Sequence, residues 1–572
     1  ILVAATALLA CFCIWTVQRV AHNEAIAKQT GLPVIRVYVT PMNPLRLLFA
    51  NSIIKLLKQL PVDVTGYTRF YANGWEATER YKAHEDFGPA FFLASPGGNY
   101  LYICDPDAVQ DILQRKSDFQ RDIVRMSILN VYGKNISTTE DAEWQIHRKA
   151  TAAAFTEANN ETVWKEALEQ AREMREFWME TPKKAVTTIS KDTRTFTLNV
   201  LAAALFSKRY PFKSFQAESG TRDLKDYTDP SMQYRDSLSR ILRNIFLIFL
   251  FGTKRLREAW WMPKAWKQTG DAVEIFHSYI SGLIAEERSN ATPSSSTRKQ
   301  DLVSNLVRAC STEKEDNERR AAGATVPPET HRRTLTEDEI ISNLFVYAFA
   351  GNDTTAITLA HAVMHLAGSP ETQLWIREEI QHYAPTVESL YDYKTFPKLK
   401  RCLSVMMETL RLCHPLGQLI KTTGKAPQTI HLQGQTITLP KGLNVNINLT
   451  ALHTLPSTWG EEPLDWNPER FFASKTTYPE DSGFDAELLI PDTTKYYLPW
   501  AYGSKVCPGK KFSQVEFVAA LAMLFQRHQV TVERKLGESQ FYADFRAEKA
   551  AIEIEKKLLN EMKNSAEIGL VW

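Results

Sequence analysis

Between Thr336 and Ala367 the chain is almost uninterruptedly apolar and is punctuated as one helix. Thr336-x-x-Glu339 forms a capping box at its start, and Gly368 and Pro370 are stop signals. At 1.5 Å per residue such a helix is about 48 Å long, enough to cross a whole domain, so the other elements must pack around it. In its middle stand Gly351-Asn352-Asp353-Thr354-Thr355, five consecutive poor helix formers. Local contradictions of this kind sit where function is expected. The structural alternative is a kink closed by threonine hydroxyls bonding back to carbonyls. His361 and His365 have the i, i+4 spacing of a metal clasp, but no HExxH glutamate or third ligand accompanies them, and they read as packed histidines.

The remainder reads mostly as helix, with a strand at Asn99–Cys104 followed by Asp105-Pro106 opening a helix, so the class is mainly α with small β-sheets. With 572 residues, 44% hydrophobic and 23% charged, disordered, collagen-like and multi-span membrane classes are excluded. Lys and Arg (68) balance Asp and Glu (66), which leaves no electrostatic footprint for nucleic acid, and no such partner is expected. Seven scattered cysteines without a CxxC pair give neither a disulfide framework nor a zinc ribbon and suit a reducing compartment.

Ile1 to Val17 carries no charge and, as a helix, reaches roughly 26 Å, just short of the ~30 Å hydrocarbon core. It is long for a signal-peptide core and no small-x-small cleavage site follows, so it reads as a cropped membrane span. Arg19, His22, Lys28 and Arg36 against Glu24 place the bulk of the chain on the cytoplasmic side. The five sequons at Asn135, Asn160, Asn290, Asn352 and Asn448 are then expected to stay unmodified. Beyond a proline-punctuated linker, Leu45–Leu60 is basic and amphipathic, suiting a membrane surface or, equally, core packing. Residues 289–299 and 311–333 read as solvent loops.

Three further segments carry chemistry. Leu399–Leu412 is a helix with Glu408 and Arg411 on one face at i, i+3; exposed, the pair matters little, while buried it fixes a network. Trp466-Asn467-Pro468-Glu469-Arg470-Phe471-Phe472 is too rich in Pro and aromatics for a helix and presents Arg470 from a packed loop. In Pro499–Lys511, Cys507 is read at the N-cap and Pro508 at the first position of the helix that follows, with Lys505, Lys510 and Lys511 nearby, a setting that favours thiolate.

In this order the segments resemble the cytochrome P450 family of haem-thiolate monooxygenases, in its membrane-anchored fungal or microsomal form. Ala350–Thr355 is similar to the family's oxygen-activation motif, Glu408-x-x-Arg411 to its Glu-x-x-Arg pair, Asn467–Phe471 to the segment donating a second arginine, and Gly503-x-x-x-Cys507-x-Gly509 to its haem loop. Trp144-Gln145-Ile146-His147-Arg148 resembles its Trp-x-x-x-Arg helix. Three residues depart: Trp500 stands where Phe is usual, and Lys505 and Lys421 where Arg or His is usual, both at propionate contacts. A lysine neutralises carboxylate as a point charge without the bidentate fork.

The resemblance implies haem b with Cys507 as axial iron ligand, thiolate donation favouring O–O cleavage. It implies Trp144, Arg148, Lys421 and Lys505 at the cofactor, Gly351 leaving space for dioxygen, Asp353 and Thr354 as a proton relay, and Glu408, Arg411 and Arg470 as a structural triad. No flavin or nicotinamide fingerprint occurs, so electrons are expected from the NADPH–cytochrome P450 reductase of the endoplasmic reticulum, with cytochrome b5 as a second donor. Lys505, Lys510, Lys511, Arg148 and Lys149 suit an acidic partner face. Ile245–Phe251 with Trp260 and Trp261 suggests a lipophilic substrate arriving from the bilayer, as in fungal secondary metabolism. Pocket candidates by segment position are Phe119, Ile128, Leu129, Phe345, Phe349, Leu416 and Leu419. Asp544–Asn564 reads as helix where the family turns a hairpin. The expected organisation is an anchor at 1–18, a linker and membrane-surface segment at 19–60, and the haem domain at 61–572. The alternatives are a haem-thiolate isomerase or dehydratase needing no reductase and, from another class, an anchored cysteine hydrolase using Cys507.

Overall fold

The computed structural model describes residues 2–60, 65–152, 154–180, 185–212, 224, 230–290, 301–308, 335–473 and 483–572. Both expected solvent loops lie outside the described residues, apart from 289 and 290. In chain order, the helices that position the site are α1 (Leu2–Lys28), α2 (Pro44–Leu57), α3 (Pro106–Gln114), α4 (Asp141–Ala152), α5 (Glu157–Glu180), α6 (Ile189–Phe206), α7 (Ile245–Phe251), α8 (Glu337–Gly368), α9 (Lys400–Leu412), α10 (Lys510–Phe525) and α11 (Gln540–Ile552). The strands are β1 (Val34–Arg36), β2 (Ala90–Ser95), β3 (Gly98–Ile103), β4 (Gln120–Arg121), β5 (Gln418–Thr422), β6 (Gln428–Leu432), β7 (Gln435–Leu439), β8 (Asn444–Asn448), β9 (Thr531–Val532), β10 (Ile554–Lys556), β11 (Asn560–Met562) and β12 (Leu570–Val571). Six form one sheet in the order β1-β2-β3-β8-β5-β4; β6–β7, β10–β11 and β9–β12 pair separately. The class is mainly α with small sheets, as the sequence predicts.

Helix α8 is capped as expected: the Glu339 N–H donates to Thr336 Oγ1 at 3.2 Å and the Thr336 N–H to Glu339 Oε2 at 2.9 Å. It packs against α6, α9 and α11, while α10 packs against α5 and α9. An apolar helix buried along nearly its whole length belongs in a core, each large buried side chain contributing about 1.5–3 kcal/mol.

The expected boundary between anchor and linker at residue 18 falls inside α1. Nothing in residues 18–28 breaks a helix, and Val20 and Ala27 are buried where α1 meets β2 and β3. Asn23 Nδ2 donates to Ser95 O at 2.7 Å, and Glu24 pairs with Arg36 at 2.7 Å. The apolar first half is exposed, and the helix is long and apolar enough to cross a membrane. In α2, Leu45, Leu48, Phe49, Ile53 and Leu56 are exposed and Ala50 alone is buried, which favours the surface reading over core packing. Helix α7 divides: Ile245, Leu247 and Ile248 are buried while Phe249 and Leu250 are exposed, as are Trp260 and Trp261 further along the chain.

The C-terminal helix reading needs correction, since α11 ends at Ile552 and a hairpin follows, β10 pairing Ile554 with Met562. Residues 553–563 are rich in helix formers, but tertiary bonds override propensity: the Asn560 N–H donates to Pro415 O at 2.7 Å and its Nδ2 to His414 O at 3.0 Å. Of the sequon asparagines, Asn135, Asn160, Asn352 and Asn448 are buried and closed to a glycan in the folded chain.

Candidate active site

Between Glu339 and Gly368 every residue of α8 is buried except Ala350, Gly351 and Thr354. At i, i+1 and i+4 these share one face, so the helix is uncovered there and nowhere else along that stretch. The five poor helix formers neither break nor end the helix. Thr354 Oγ1 donates to Ala350 O at 2.7 Å, and Thr358 Oγ1 to Thr354 O at 2.8 Å, the back-bonding expected of threonines in a helix. Thr197 of α6 donates to Asn352 Oδ1 at 2.6 Å, and Arg194 of α6 to Asp353 Oδ1 at 3.1 Å. Burial pushes the Asp353 carboxyl up, and Arg194 offsets this only in part.

A Cβ at Gly351 would approach Leu201 Cδ1 to 2.9 Å, so the glycine lets α8 and α6 pack closely; Ala350 and Thr354 carry side chains on the uncovered face.

Cys507 is exposed, yet surrounding protein is the largest influence on its thiol. The loop is held by the Cys507 N–H donating to Trp500 O at 3.0 Å, and Gly503 adopts φ +78° with the Leu113 carbonyl 3.2 Å from where a Cβ would stand. Helix α10 starts at Lys510 with Gly509 as N-cap, so Cys507 is not the N-cap and Pro508 is not the first helical residue. Burial pushes the thiol up; the Gly509 N–H and Arg148 act in the opposite sense.

The lysines do not supply that effect. Lys505 is paired with Glu140, Lys510 lies 2.6 Å from Asp492, and the Lys511 ammonium lies 4.4 Å from the Phe396 ring centroid. This also trims the expected basic partner face, since two of its lysines are already neutralised.

The remaining cofactor candidates converge. Trp144 on α4 is buried with the Lys505 ammonium 5.6 Å from its ring centroid. Arg148, one turn on, acts on Tyr347 of α8 and on Cys507, and Cys507 acts on Tyr347, which links the cysteine to the open stretch of α8. Lys421 on β5 lies opposite Arg121 on β4 and is 7% exposed, with no carboxylate at ion-pair distance among the described residues. Burial, then Lys505 and Arg121, lower its ammonium from 10.5 to about 8, Glu140 acting against them. Trp500 is buried and donates to Ser513 Oγ at 3.2 Å.

Glu408 and Arg411 are fully buried on α9. Arg411 donates to both Glu408 oxygens at 2.7 and 2.9 Å and to the carbonyls of His453, Pro463 and Asp465 at 3.0, 2.6 and 3.0 Å. Glu408 Oε1 also accepts from Arg470 Nε at 2.9 Å and from the Asn467 N–H at 2.8 Å. Arg470 is presented from a 3-10 turn, Pro468–Phe471. His361 bonds Ala551 O at 2.6 Å and His365 stacks on Trp466 at 4.8 Å, both packed as expected. Among the pocket candidates, Phe119 and Phe345 are fully buried core residues; Ile128, Leu416 and Leu419 keep surface.

Sequence reasoning missed Arg194, Glu561 and Glu140. Glu140 sits one turn before Trp144 and was detectable as an acid at a helix start. The other two act across long sequence separations and leave no local signal.

The set fits a haem. A reachable sulfur, an open helix face within its electrostatic reach, and a buried cation with no carboxylate at ion-pair distance among the described residues are the donor, the space and the charge that an iron porphyrin with acidic side arms requires. A cleft of about 510 Å³ borders Arg470 elsewhere, walled by Trp375, Trp459, Trp466 and solvated carboxylates, and shares no residue with the cysteine loop.

The description "Cytochrome P450" matches residues 63–545 of the chain. A cytochrome P450 monooxygenase of Arthrobotrys oligospora is 26% identical over 91% of this chain and 89% of its own length. One of Penicillium roqueforti is 27% identical over 91% and 90%. The phomenoic acid biosynthesis cluster cytochrome P450 monooxygenase of Leptosphaeria maculans is 26% identical over 90% and 89%. The chain belongs to the cytochrome P450 family of haem-iron monooxygenases and is an oxidoreductase.

Proposed function

We propose that the protein inserts one oxygen atom of O2 into a lipophilic organic substrate, using haem b and electrons from a separate NADPH diflavin reductase, with cytochrome b5 as a secondary donor. Its place is the endoplasmic reticulum membrane, with the apolar half of α1 as single-pass anchor, the exposed faces of α2 and α7 as surface contacts, and the catalytic domain in the cytosol. A role in fungal secondary metabolism agrees with the relative named for a biosynthetic cluster.

The observation that carries this reading is the opening of α8 at Ala350, Gly351 and Thr354, one turn from Tyr347, which lies within electrostatic reach of Cys507. The haem, when bound, supplies the redox chemistry that activates oxygen. Cys507 would hold its iron through sulfur, with the Gly509 N–H and Arg148 favouring the thiolate. Lys421, Arg148 and Trp144 would hold its acidic side arms. Lys505 contributes by tying Glu140, and with it the start of α4, to the cysteine loop. Thr354 holds a proton over the cleft, and Asp353 resupplies it from the far side of the helix. Glu408, Arg411 and Arg470 keep the loop beneath rigid.

Thr354→Ala, reconstituted with reductase, tests the relay. Haem content and the reduced carbon monoxide spectrum should be unchanged and NADPH consumption should continue, with electrons emerging as hydrogen peroxide and less product per NADPH. Undiminished coupling on the true substrate overturns the relay, and substrate rearrangement without NADPH would move the isomerase reading ahead.

A further inference from the structure

Arg194 stands between two carboxylates. Its Nε donates to Asp353 Oδ1 at 3.1 Å, and a terminal guanidinium nitrogen lies 2.9 Å from Glu561 Oε1. Glu561 belongs to β11 and lies 3.2 Å from Lys557 Nζ, which also holds Glu555 at 2.9 Å. Charges therefore alternate from buried Asp353 through Arg194, Glu561 and Lys557 to Glu555 at the surface of the C-terminal hairpin. A guanidinium shared by two acids neutralises each incompletely.

We propose that Glu561 is a positioning residue for Asp353: by engaging one side of Arg194 it leaves Asp353 half-countered, so the C-terminal hairpin sets how readily Asp353 takes up and gives away its proton. This rests on Asp353 acting in the relay. The charged groups acting on Asp353 are Arg194 and Glu561, and those on Glu561 are Arg194 and Lys557; Glu561 also acts on neutral His361. The two acids respond differently. On Asp353, burial and the Glu561 charge push the carboxyl up against Arg194. On Glu561, burial is outweighed by Arg194 and Lys557 together, which hold it below the usual carboxylate range. Glu561 thus keeps its charge while Asp353 is the acid poised to hold a proton.

The test is an infrared titration of the haem-loaded protein, following the carbonyl stretch of a protonated carboxyl that disappears in Asp353→Asn. Glu561→Gln should move that titration down by about one pH unit, because Arg194 then serves Asp353 alone, and Glu561→Asp should restore it. Lys557→Gln, at an exposed position, should move it up, because Glu561 freed of Lys557 draws more strongly on Arg194. Loosening of the hairpin alone would shift both variants in the same direction. If the band depends on Asp353 yet stays put in Glu561→Gln and Lys557→Gln, the positioning role is wrong and the relay stands. If no band depends on Asp353, the relay assignment and the inference fall together.

Discussion

Lys421 gives the site its most quantitative test. It is an ammonium on β5 with almost no exposure, opposite Arg121 and acted on by Lys505, and no carboxylate among the described residues lies at ion-pair distance. A fall from 10.5 to about 8 corresponds to about 3 kcal/mol at about 1.4 kcal/mol per pH unit. The unfolded chain keeps its lysine proton up to about pH 10.5. Between pH 8 and 10.5 it therefore binds more protons than the folded chain, and stability rises with pH across that window. Below pH 8 the full cost is present. Lys421→Met should therefore stabilise the haem-free protein at pH 7 by up to about 3 kcal/mol, the gain vanishing above about pH 10.5, as read from urea midpoints. The haem-loaded protein should respond in the opposite sense. There an acidic side arm supplies the missing counter-charge, and its loss should speed haem transfer to apomyoglobin about tenfold or more. Unchanged haem transfer together with an unchanged or lowered haem-free stability would refute the assignment of Lys421 to the cofactor.

Glu408→Gln leaves Arg411 buried without a counter-charge, at a cost of about 3–5 kcal/mol, and should yield little haem-loaded protein by the reduced carbon monoxide difference spectrum; a normal yield contradicts the buried network. His84, His361 and His414 are each lowered by burial from 6.5 to about 4. The unfolded chain gains their protons first as pH falls, so stability should decline from about pH 6.5 towards 4, and a flat urea midpoint across that window would show these rings are not held neutral. With four sequon asparagines buried, Asn290 alone reports topology: on intact microsomes it should carry no glycan, and a glycan there would put the domain on the luminal side.

What was legible in the sequence was whatever a short stretch decides by itself. The capping box of α8 and its stop signals bound the helix within a residue, and the spacing of Glu408 and Arg411 placed both on one face. The fate of that pair was not legible, because i, i+3 spacing is the same on a surface as in a core. Burial came from Asn467, Arg470 and three carbonyls converging from elsewhere in the chain. The C-terminal hairpin escaped for the same reason: its Glu, Lys, Leu and Met residues favour helix locally, and bonds to residues 414 and 415 decide otherwise.

The cysteine loop carries this distinction into the chemistry. Proximity in sequence nominates Lys505, Lys510 and Lys511 as the cations that activate Cys507, since they crowd the same loop. Each instead engages a carboxylate or an aromatic face, and the cation that acts on the sulfur is Arg148, brought over by α4. Lysines committed to Glu140 and Asp492 hold the loop's shape, and none of the three is among the groups that act on the sulfur. Lys421, buried with no carboxylate at ion-pair distance among the described residues, comes from a strand outside that loop. Which basic residue is structural and which is chemical therefore depends on where the carboxylates fall in three dimensions, and a motif read along the chain does not contain that information.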